Sequence, residues 1–328
     1  MLVWHQSAYS RCAGRPSDVL MIEVTHLTKK FGDKTAVSDL TFTVQPGVVT
    51  GFLGPNGSGK STTMRMIMGL NKPTSGSATV NGRPYRELSH PLREVGALLD
   101  AKALHPGRSA RNHLLSLAIA NDIPRSRVDE VLDIVGLTDV ANQRAGRFSL
   151  GMSQRLGIAG AILGDPGVLM FDEPINGLDP EGIRWIREFF QNLADEGRTV
   201  LVSSHLMSEM SLTADHFIVI GRGKLLRQGS RDELARISSQ FVHVRTPLRN
   251  EFIQLSKEQG WEIREEGETF VIDNIASATV GAATFEAKIP LFELSPHGAS
   301  LEDLFMQLTA DSVEYVGKRR GIRGAKKL

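Results

Sequence analysis

A glycine-rich stretch, "GFLGPNGSGKST" at residues 51–62, holds the residues whose spacing most directly indicates chemistry. Gly54, Gly59, Lys60 and Ser61 match the pattern G-x-x-x-x-G-K-[ST], in which glycines let backbone N–H groups turn inward around an anion. The helix expected to begin near Lys60 adds its positive dipole end to this cradle. The pattern therefore predicts a binding loop for a nucleotide phosphate, in which Lys60 contacts the β- and γ-phosphates and the Ser61 hydroxyl binds Mg²⁺.

The phosphate-binding prediction competes with a simpler interpretation, a glycine-rich turn that happens to precede a helix. A β-rich apolar run, "VVTGFL", comes directly before the loop, so strand, loop and helix follow in the order that phosphate binding requires. The predicted nucleotide-binding residues are Gly54, Pro55, Asn56, Gly57, Ser58, Gly59, Lys60, Ser61 and Thr62. Kinases, GTPases and ATPases share such a loop, so the loop by itself does not separate them.

Two adjacent acids, Asp172 and Glu173, follow an apolar strand predicted at residues 168–171. Ligands of α/β proteins gather at the carboxyl ends of the strands. We therefore expect Asp172 to hold Mg²⁺, directly or through water, and Glu173 to act as the general base on the attacking water. The alternative is an ordinary pair of acids in a strand-to-turn connection.

A second strand end carries a histidine. The run "RTVLVSSHL" predicts a buried strand that ends at His205, where an imidazole is well placed to sense a γ-phosphate. A structural histidine is the alternative interpretation. Upstream, Asp179 and Pro180 are predicted to open an amphipathic helix, because Asp is a preferred cap and Pro is tolerated in the first turn.

The composition is that of an ordinary globular protein. The chain has 328 residues, of which 41% are hydrophobic, and this length favours about two domains. Its formal net charge of +1 gives no indication of a nucleic-acid partner. The single cysteine, Cys12, excludes an internal disulfide and is typical of a reducing cytosol. No run reaches the roughly 18 apolar residues of a membrane span, so we expect any role at a membrane to involve docking.

The segment "GRFSLGMSQRLGIAGAIL", residues 146–163, separates the families that share a phosphate loop. Taken with the loop, the acid pair, "NGLD" and His205, it resembles the ATP-binding subunits of ABC transporters. Residues 149–155 stand where that family has its Leu-Ser-Gly-Gly-Gln signature, with departures at Leu150 and Met152. The form S-x-G-M-x-Q-R resembles the bacterial branch of antibiotic export and lantibiotic immunity, including daunorubicin-resistance-like proteins. The similarity runs from about Met21 to Ile237.

The resemblance implies ATP and Mg²⁺ as cofactors and a homodimer as the working form. In the family, the signature of one chain faces the ATP held by the phosphate loop of a second chain, so two nucleotides are sandwiched head to tail across a two-fold axis. The signature residues implied to face the second chain are Ser149, Gly151, Met152 and Gln154. Asp179 stands at the position of the family's D-loop aspartate.

Two further positions follow from the resemblance. Phe31 stands at the family's aromatic position, where a ring stacks on adenine. A core phenylalanine in the first hairpin is the alternative. Asp100 stands where the family usually places a glutamine that bridges the metal or the attacking water to the loop touching the membrane permease, and so couples the state of the nucleotide to transport. An aspartate is one methylene shorter and charged, but it can still accept from a Mg²⁺-bound water, and we expect it to serve the same catalytic and coupling role. An ordinary surface acid is the alternative.

The implied fold is an α/β, ABC-type P-loop ATPase domain with a mixed sheet and a helical signature subdomain, followed by a small α+β domain. We predict a disordered extension or overcalled start at residues 1–20, the ATPase domain at 21–237, the accessory domain at 238–312 and a basic tail at 313–328. The tail is either solvated or attracted to anionic lipid. The accessory domain is predicted to have the element order β-α-β-β-α-β, with its last strand in "KIPLFELSP". Its role is regulatory, dimer-forming or that of a passive cover over the ATPase domain.

The preferred function is the motor subunit of a transporter. ATP binding closes the dimer, hydrolysis reopens it, and a separately encoded membrane permease exports a drug or peptide antibiotic, with the chain lying on the cytoplasmic face of the membrane. A non-transport ABC ATPase acting on nucleic acid or ribosomes is the alternative. The single cassette and the short interval between Lys60 and Ser149 argue against it. A small-molecule kinase would leave "SLGMSQR" and "NGLD" unexplained.

Overall fold

The computed structural model describes residues 21–237, 240–298 and 301–309. The predictions for residues 1–20 and for the basic tail lie outside the described residues. The chain forms two compact units, one built from residues up to Val49 with Ser61–Val202, the other from Thr50–Lys60 with the residues from Ser203 onward. The domain boundaries expected from the sequence stay predictions.

The strands of the described residues form three sheets. They are β1 Ile22–Phe31, β2 Lys34–Val44, β3 Val49–Leu53, β4 Ser75–Val80, β5 Val95–Leu98, β6 Val168–Asp172, β7 Thr199–Ser204, β8 His216–Gly221, β9 Lys224–Ser230, β10 Gln240–Arg245, β11 Ile263–Glu266, β12 Thr269–Asp273 and β13 Glu293–Gly298. Their orders are β2-β1-β4, β5-β6-β7-β3-β8-β9 and β11-β12-β10-β13.

The helices lie between these strands. They are α1 Lys60–Ile67, α2 Pro91–Glu94, α3 Ala110–Ala120, α4 Ser126–Ile134, α5 Leu150–Ile162, α6 Pro180–Asp195, α7 Met207–Ser211, α8 Arg231–Ile237, α9 Arg249–Glu258, α10 Ser277–Glu286 and α11 Leu301–Thr309, with short 3₁₀ turns at Tyr85–Glu87, Thr138–Val140 and Ala145–Arg147. None of the helices in the described ranges combines the length and apolar character that a bilayer span needs.

In the first unit, β1 pairs antiparallel with β2 and with β4. The parallel pair of β5 and β6 lies in the six-stranded sheet, in a register that places Leu98 opposite Phe171. The apolar residues of β6, Val168–Phe171, are fully buried, as expected for a parallel strand covered on both faces. Because both strands run the same way, the residues that follow Leu98 and Phe171 emerge at the same edge of the sheet.

Helices α3, α4 and α5 pack against one another in the same unit and form a helical subdomain. Ser109 caps α3 and Ser149 caps α5, and each hydroxyl accepts a hydrogen bond from a backbone N–H three residues on, at 3.2 Å. Helix α6 buries Ile186, Phe189, Phe190 and Leu193, while Ile183 is half-buried. These residues recur with the 3.6-residue period of an amphipathic helix, as predicted.

In the second unit, β3 pairs parallel with β8, and β8 pairs antiparallel with β9. The large sheet is therefore mixed, as the resemblance implies. Every residue of β3 is buried, so the strand ends in a fixed position immediately before the glycine-rich loop. That fixed end is what allows a short loop to hold a defined shape.

The accessory part follows the predicted order β10-α9-β11-β12-α10-β13, with α11 at its end. All its strand pairs are antiparallel, and its core includes Val242, Val244, Phe252 and Phe270. The last strand begins at Glu293, later than the predicted start at residue 288. Lys288 has a positive φ of 56° and Pro290 has no N–H to donate, so neither residue suits a regular ladder.

Candidate active site

The glycine-rich loop joins the end of β3 to the start of α1, as predicted from its sequence. Gly57 and Gly59 have φ values of 82° and 105°, which side-chain-bearing residues rarely adopt. A Cβ atom at Gly54 would lie 2.5 Å from the carbonyl oxygen of Ile220 and would also meet the hydroxyl of Ser58. The loop therefore requires glycine for its turns at residues 57 and 59 and for close packing at residue 54.

Lys60 lies at the junction of the loop and the helix, with only 6% of its surface exposed. Its ammonium donates to the carbonyl oxygen of Gly54 at 2.6 Å and lies 3.4 Å from that of Pro55. The Ser58 hydroxyl is buried and has no hydrogen-bond partner among the described residues. Because a buried hydroxyl without a partner is costly, Ser58 and Lys60 together form a donor set suited to phosphate oxygens.

The acid pair lies where β6 ends. Asp172 is the last residue of the strand and Glu173 the first residue beyond it. Glu173 has a positive φ of 49°, uncommon for a residue with a side chain, and the Asn176 amide donates to its carboxylate at 3.4 Å. Backbone strain of this kind is found at functional sites when surrounding contacts fix the conformation.

Asp100 follows β5 at the edge of the sheet where Glu173 follows β6. Each residue stands two positions beyond the paired residues Leu98 and Phe171. The Asp100 side chain is exposed, and its carboxylate accepts a hydrogen bond from the Lys102 N–H at 2.8 Å. This local contact fixes the first turn of the loop, as Asx turns do. The coupling role of Asp100 stays a prediction.

The signature segment begins helix α5. Ser149 is the cap, and its hydroxyl accepts from the Met152 N–H. Gly151 lies close to the turn after β6, because a Cβ atom there would be 3.4 Å from the Gly177 carbonyl oxygen. Gln154 is 95% buried, and its amide donates to the carbonyl oxygens of Glu173 and Asn176, each at 3.3 Å. The expectation that Gln154 faces a second chain stays a prediction, and here its side chain is bonded within its own chain.

Two further predicted residues terminate or start elements. Asp179 caps α6, accepting from the Gly182 N–H at 2.8 Å, and Pro180 follows in the first turn. His205 is half-buried and comes directly after β7, where the Leu206 N–H bonds to the Ser204 hydroxyl at 2.9 Å. The sensing role of His205 stays a prediction.

Phe31 ends β1 with 51% of its surface exposed, so the interpretation of Phe31 as a core residue is wrong. The Lys29 ammonium lies 4.9 Å from the centre of its ring. An exposed aromatic ring is available for stacking on a base, and the adenine contact stays a prediction.

Two features of the first unit were not predicted from the sequence. The first is Asn176, whose side-chain amide contacts the Glu173 carboxylate. Its position in "EPINGLD", between the acid and the cap of α6, is a sequence feature from which this contact could have been predicted. A groove of about 440 Å³ lies between the turn after β5 and the start of α5. Its lining residues include Lys102, Leu104, Phe148 and Leu150.

Residues 37–176 match the family model described as ABC transporter. The chain is 37% identical over 306 residues to an uncharacterized ABC transporter ATP-binding protein, YhcH, of Bacillus subtilis, covering 90% of this chain and 98% of that protein. It belongs to the ABC transporter ATP-binding protein family. The resemblance stated from the signature and the phosphate loop is thereby confirmed.

A second relative of this ABC ATPase is the bacitracin transport ATP-binding protein BcrA of Bacillus licheniformis. The two are 36% identical over 296 residues, which cover 88% of this chain and 97% of BcrA. Residues 240–302 match a separate model described as a domain of unknown function, DUF8746. The ABC subunit thus carries an accessory segment with its own family model.

A solved structure supports the fold and the reaction. It is a dimeric ATP-binding cassette in a post-hydrolysis state with ADP and Pi, which aligns with a TM-score of 0.59 at 25% identity and covers 64% of this chain and 98% of that chain. The predicted fold class is confirmed, and this chain is an ATP-binding, ATP-hydrolysing subunit of an ABC transporter. The relatives give no support to the alternative acting on nucleic acid.

Proposed function

We propose that this ABC ATPase binds and hydrolyses ATP with Mg²⁺, and that residues of the glycine-rich loop and of the turn after β6 carry out these steps. The loop residues Gly54–Lys60 and Thr62 would hold the phosphates, and Glu173 would take the proton from the attacking water. The Ser61 hydroxyl and the Asp172 carboxylate are oxygen donors of the kind Mg²⁺ prefers. When bound, Mg²⁺ would neutralise charge that develops on the phosphate oxygens.

The working form in this proposal is a two-fold homodimer. One chain supplies one phosphate loop and one signature, and Ser149, Gly151 and Met152 at the start of α5 would contact the nucleotide of the second chain. The start of a helix carries backbone N–H groups and a positive dipole end, which suit a γ-phosphate. The solved relative described above is itself dimeric with ADP and Pi, which supports this arrangement.

We further propose that a separately encoded membrane permease docks in the groove between the turn after β5 and α5, which would place the chain on the cytoplasmic face of the membrane. This part of the proposal depends on one observation, the groove itself. It joins the Asp100 turn to the signature helix, and it exposes apolar surface, including Leu150, which is 44% exposed. A permease segment with an apolar face would bury that surface.

The transported compound is proposed from the relatives. BcrA is named for bacitracin transport, and the signature form resembles the branch of antibiotic export and lantibiotic immunity. We therefore propose export of a peptide antibiotic. Selection of the compound would lie in the permease, which would form the transport pathway.

The test is to co-express the tagged chain in a bacitracin-sensitive host with the membrane protein encoded beside it. Co-purification of the two proteins and a rise in the inhibitory concentration of bacitracin, but not of an unrelated small drug, are expected. Leu104→Glu in the groove should abolish co-purification, and Leu70→Glu, at an exposed leucine outside the groove, should not. Co-purification that survives Leu104→Glu would place the docking surface elsewhere, and unchanged resistance would exclude bacitracin.

A further inference from the structure

The side chain of Gln154 connects helix α5 to the turn that follows β6. It stands in the second turn of α5, and the backbone oxygens to which it donates belong to Glu173 and Asn176, 19 and 22 residues further along. Only 5% of its surface is exposed, so water cannot replace these hydrogen-bond partners. Its own oxygen, Oε1, is buried without a hydrogen-bond partner among the described residues. The amide orientation is therefore set by the two carbonyl groups, which accept only from a donor.

The turn that Gln154 contacts is the one that holds the acid. Glu173 has a φ of 49°, and its carbonyl oxygen also accepts from the Asn176 N–H at 3.3 Å. The Asn176 side chain in turn reaches the Glu173 carboxylate. A strained residue keeps its conformation only when its neighbours fix it, and the Gln154 amide supplies part of that fixation.

The start of α5 also packs directly on this turn. Gly177 has a φ of 78°, and a Cβ atom there would collide with the Leu150 side chain. Gly151 also lies close to the Gly177 carbonyl oxygen, 3.4 Å from where a Cβ atom on Gly151 would be. A shift of α5 is therefore transmitted to the turn through packed atoms as well as through the Gln154 amide.

We infer that Gln154 is a positioning residue for Glu173, holding the backbone on both sides of the turn so that the carboxylate stays aimed at the attacking water. This inference rests on the proposed role of Glu173 as the general base. It makes the signature helix a contributor to the acid of its own chain. The side chain type is decisive, because one amide nitrogen carries two N–H groups and can serve two carbonyl oxygens at once.

The inference and the family expectation for Gln154 predict different defects. A residue that contacts ATP across the dimer would, when removed, weaken the ATP-driven dimer, as Ser149→Ala should. A residue that positions Glu173 would leave ATP binding and the ATP-bound dimer in place and slow hydrolysis, as Glu173→Gln should. Measurements of kcat, of KM for ATP and of the dimer fraction with ATP and Mg²⁺ distinguish these two kinds of defect.

The experiment compares Gln154→Leu and Gln154→Glu with Ser149→Ala and Glu173→Gln, using the full chain. Gln143, an exposed glutamine in the same helical region, gives matched controls with the same two substitutions. Gln154→Leu should lower kcat by about tenfold to a hundredfold and change KM less than about threefold, because misplacement of a reacting group affects the chemical step. The dimer fraction with ATP and Mg²⁺ should equal or exceed that of wild type, because slower hydrolysis reopens the dimer less often. The Gln143 variants should match wild type throughout.

Gln154→Glu provides a readout that a general loss of packing would not move. The glutamate carboxylate cannot donate a hydrogen bond, whereas its neutral acid form donates one. The kcat of Gln154→Glu relative to wild type should therefore rise as the pH falls from 8 to 6. A wild-type kcat for Gln154→Leu, or a Gln154→Leu dimer defect as large as that of Ser149→Ala, would overturn the inference. If Glu173→Gln itself hydrolyses ATP at the wild-type rate, the general-base assignment fails first, and the inference fails with it.

Discussion

The ammonium of Lys60 donates to the carbonyl oxygen of Gly54, six residues earlier in the same loop, at 2.6 Å. The lysine therefore closes the loop on itself through its own side chain. An ammonium group has three donors, and phosphate oxygens are strong acceptors that can take the place of the loop carbonyls. One side chain thus supplies the positive charge and a contact that closes the loop.

Lys60→Ala should weaken ATP binding by tens of times, because a charge-assisted contact to phosphate contributes about 2 kcal/mol. Loss of the bond to Gly54 should loosen the loop as well. Titration with a fluorescent ATP analogue measures the change. Lys224→Ala, at an exposed lysine of β9, is the control and should bind as wild type does. An affinity for Lys60→Ala within about twofold of wild type would remove Lys60 from the site.

Glu173→Gln should keep ATP affinity and lower kcat by about a hundredfold or more, because the amide cannot accept the proton of the attacking water. Size exclusion with ATP and Mg²⁺ should show a dimer that persists, since hydrolysis no longer reopens it. Glu181→Gln, in the exposed first turn of α6, is the matched control. A Glu173→Gln variant that stays monomeric or turns over normally would contradict the assignment.

Asp100→Ala should leave ATP binding within a few-fold of wild type and abolish the extra hydrolysis that the permease stimulates. The side chain that is lost fixes the Lys102 N–H, and Lys102 lines the proposed docking groove. Asp100→Asn keeps an oxygen acceptor for that N–H and should be milder. ATPase rates with and without reconstituted permease test both variants. If Asp100→Ala is stimulated as strongly as wild type, the coupling residue lies elsewhere in this loop.

His113→Leu should make the protein less sensitive to acid. Burial, together with the nearby charges of Arg108 and His105, lowers the pKa of His113 below its ordinary value of 6.5. The unfolded chain therefore binds a proton more readily, so stability is lost as the pH falls through 6.5 towards the folded-state pKa. Nδ1 of His113 is buried without a partner among the described residues, so leucine costs no hydrogen bond there.

The measurement for His113 is the melting temperature at pH 7.5 and pH 5.5. The drop between the two values should be smaller for His113→Leu than for wild type, whereas His90→Leu, at an exposed histidine, should melt as wild type does at both values. Burial also lowers the pKa of His216. Because His216 is present in wild type and in both variants, its contribution cancels when their melting temperatures are compared. Equal drops for wild type and His113→Leu would show that His113 does not couple to folding.

Much of the site could be predicted because its parts are local in sequence. The loop from Gly54 to Lys60 has its shape dictated by glycine positions, and Ser149 and Asp179 cap their helices through N–H groups three residues away. The apolar run of β6 must be buried on both faces, so the acids that follow it necessarily stand at the edge of the sheet. Such features depend on backbone conformation within a few residues, which residue types specify directly.

Tertiary structure decided the relationships that join distant segments. The partners of Gln154 lie 19 and 22 residues away, and the groove brings Leu104 beside Phe148. The exposure of Phe31 was likewise set by packing. The late start of β13 has a local cause by comparison, because Pro290 cannot donate to a ladder. Periodicity shows which faces of a helix or strand are apolar, but several neighbours can satisfy the same apolar face. Only the folded chain selects one of them, and with it the hydrogen bonds and cavities that form at the contact.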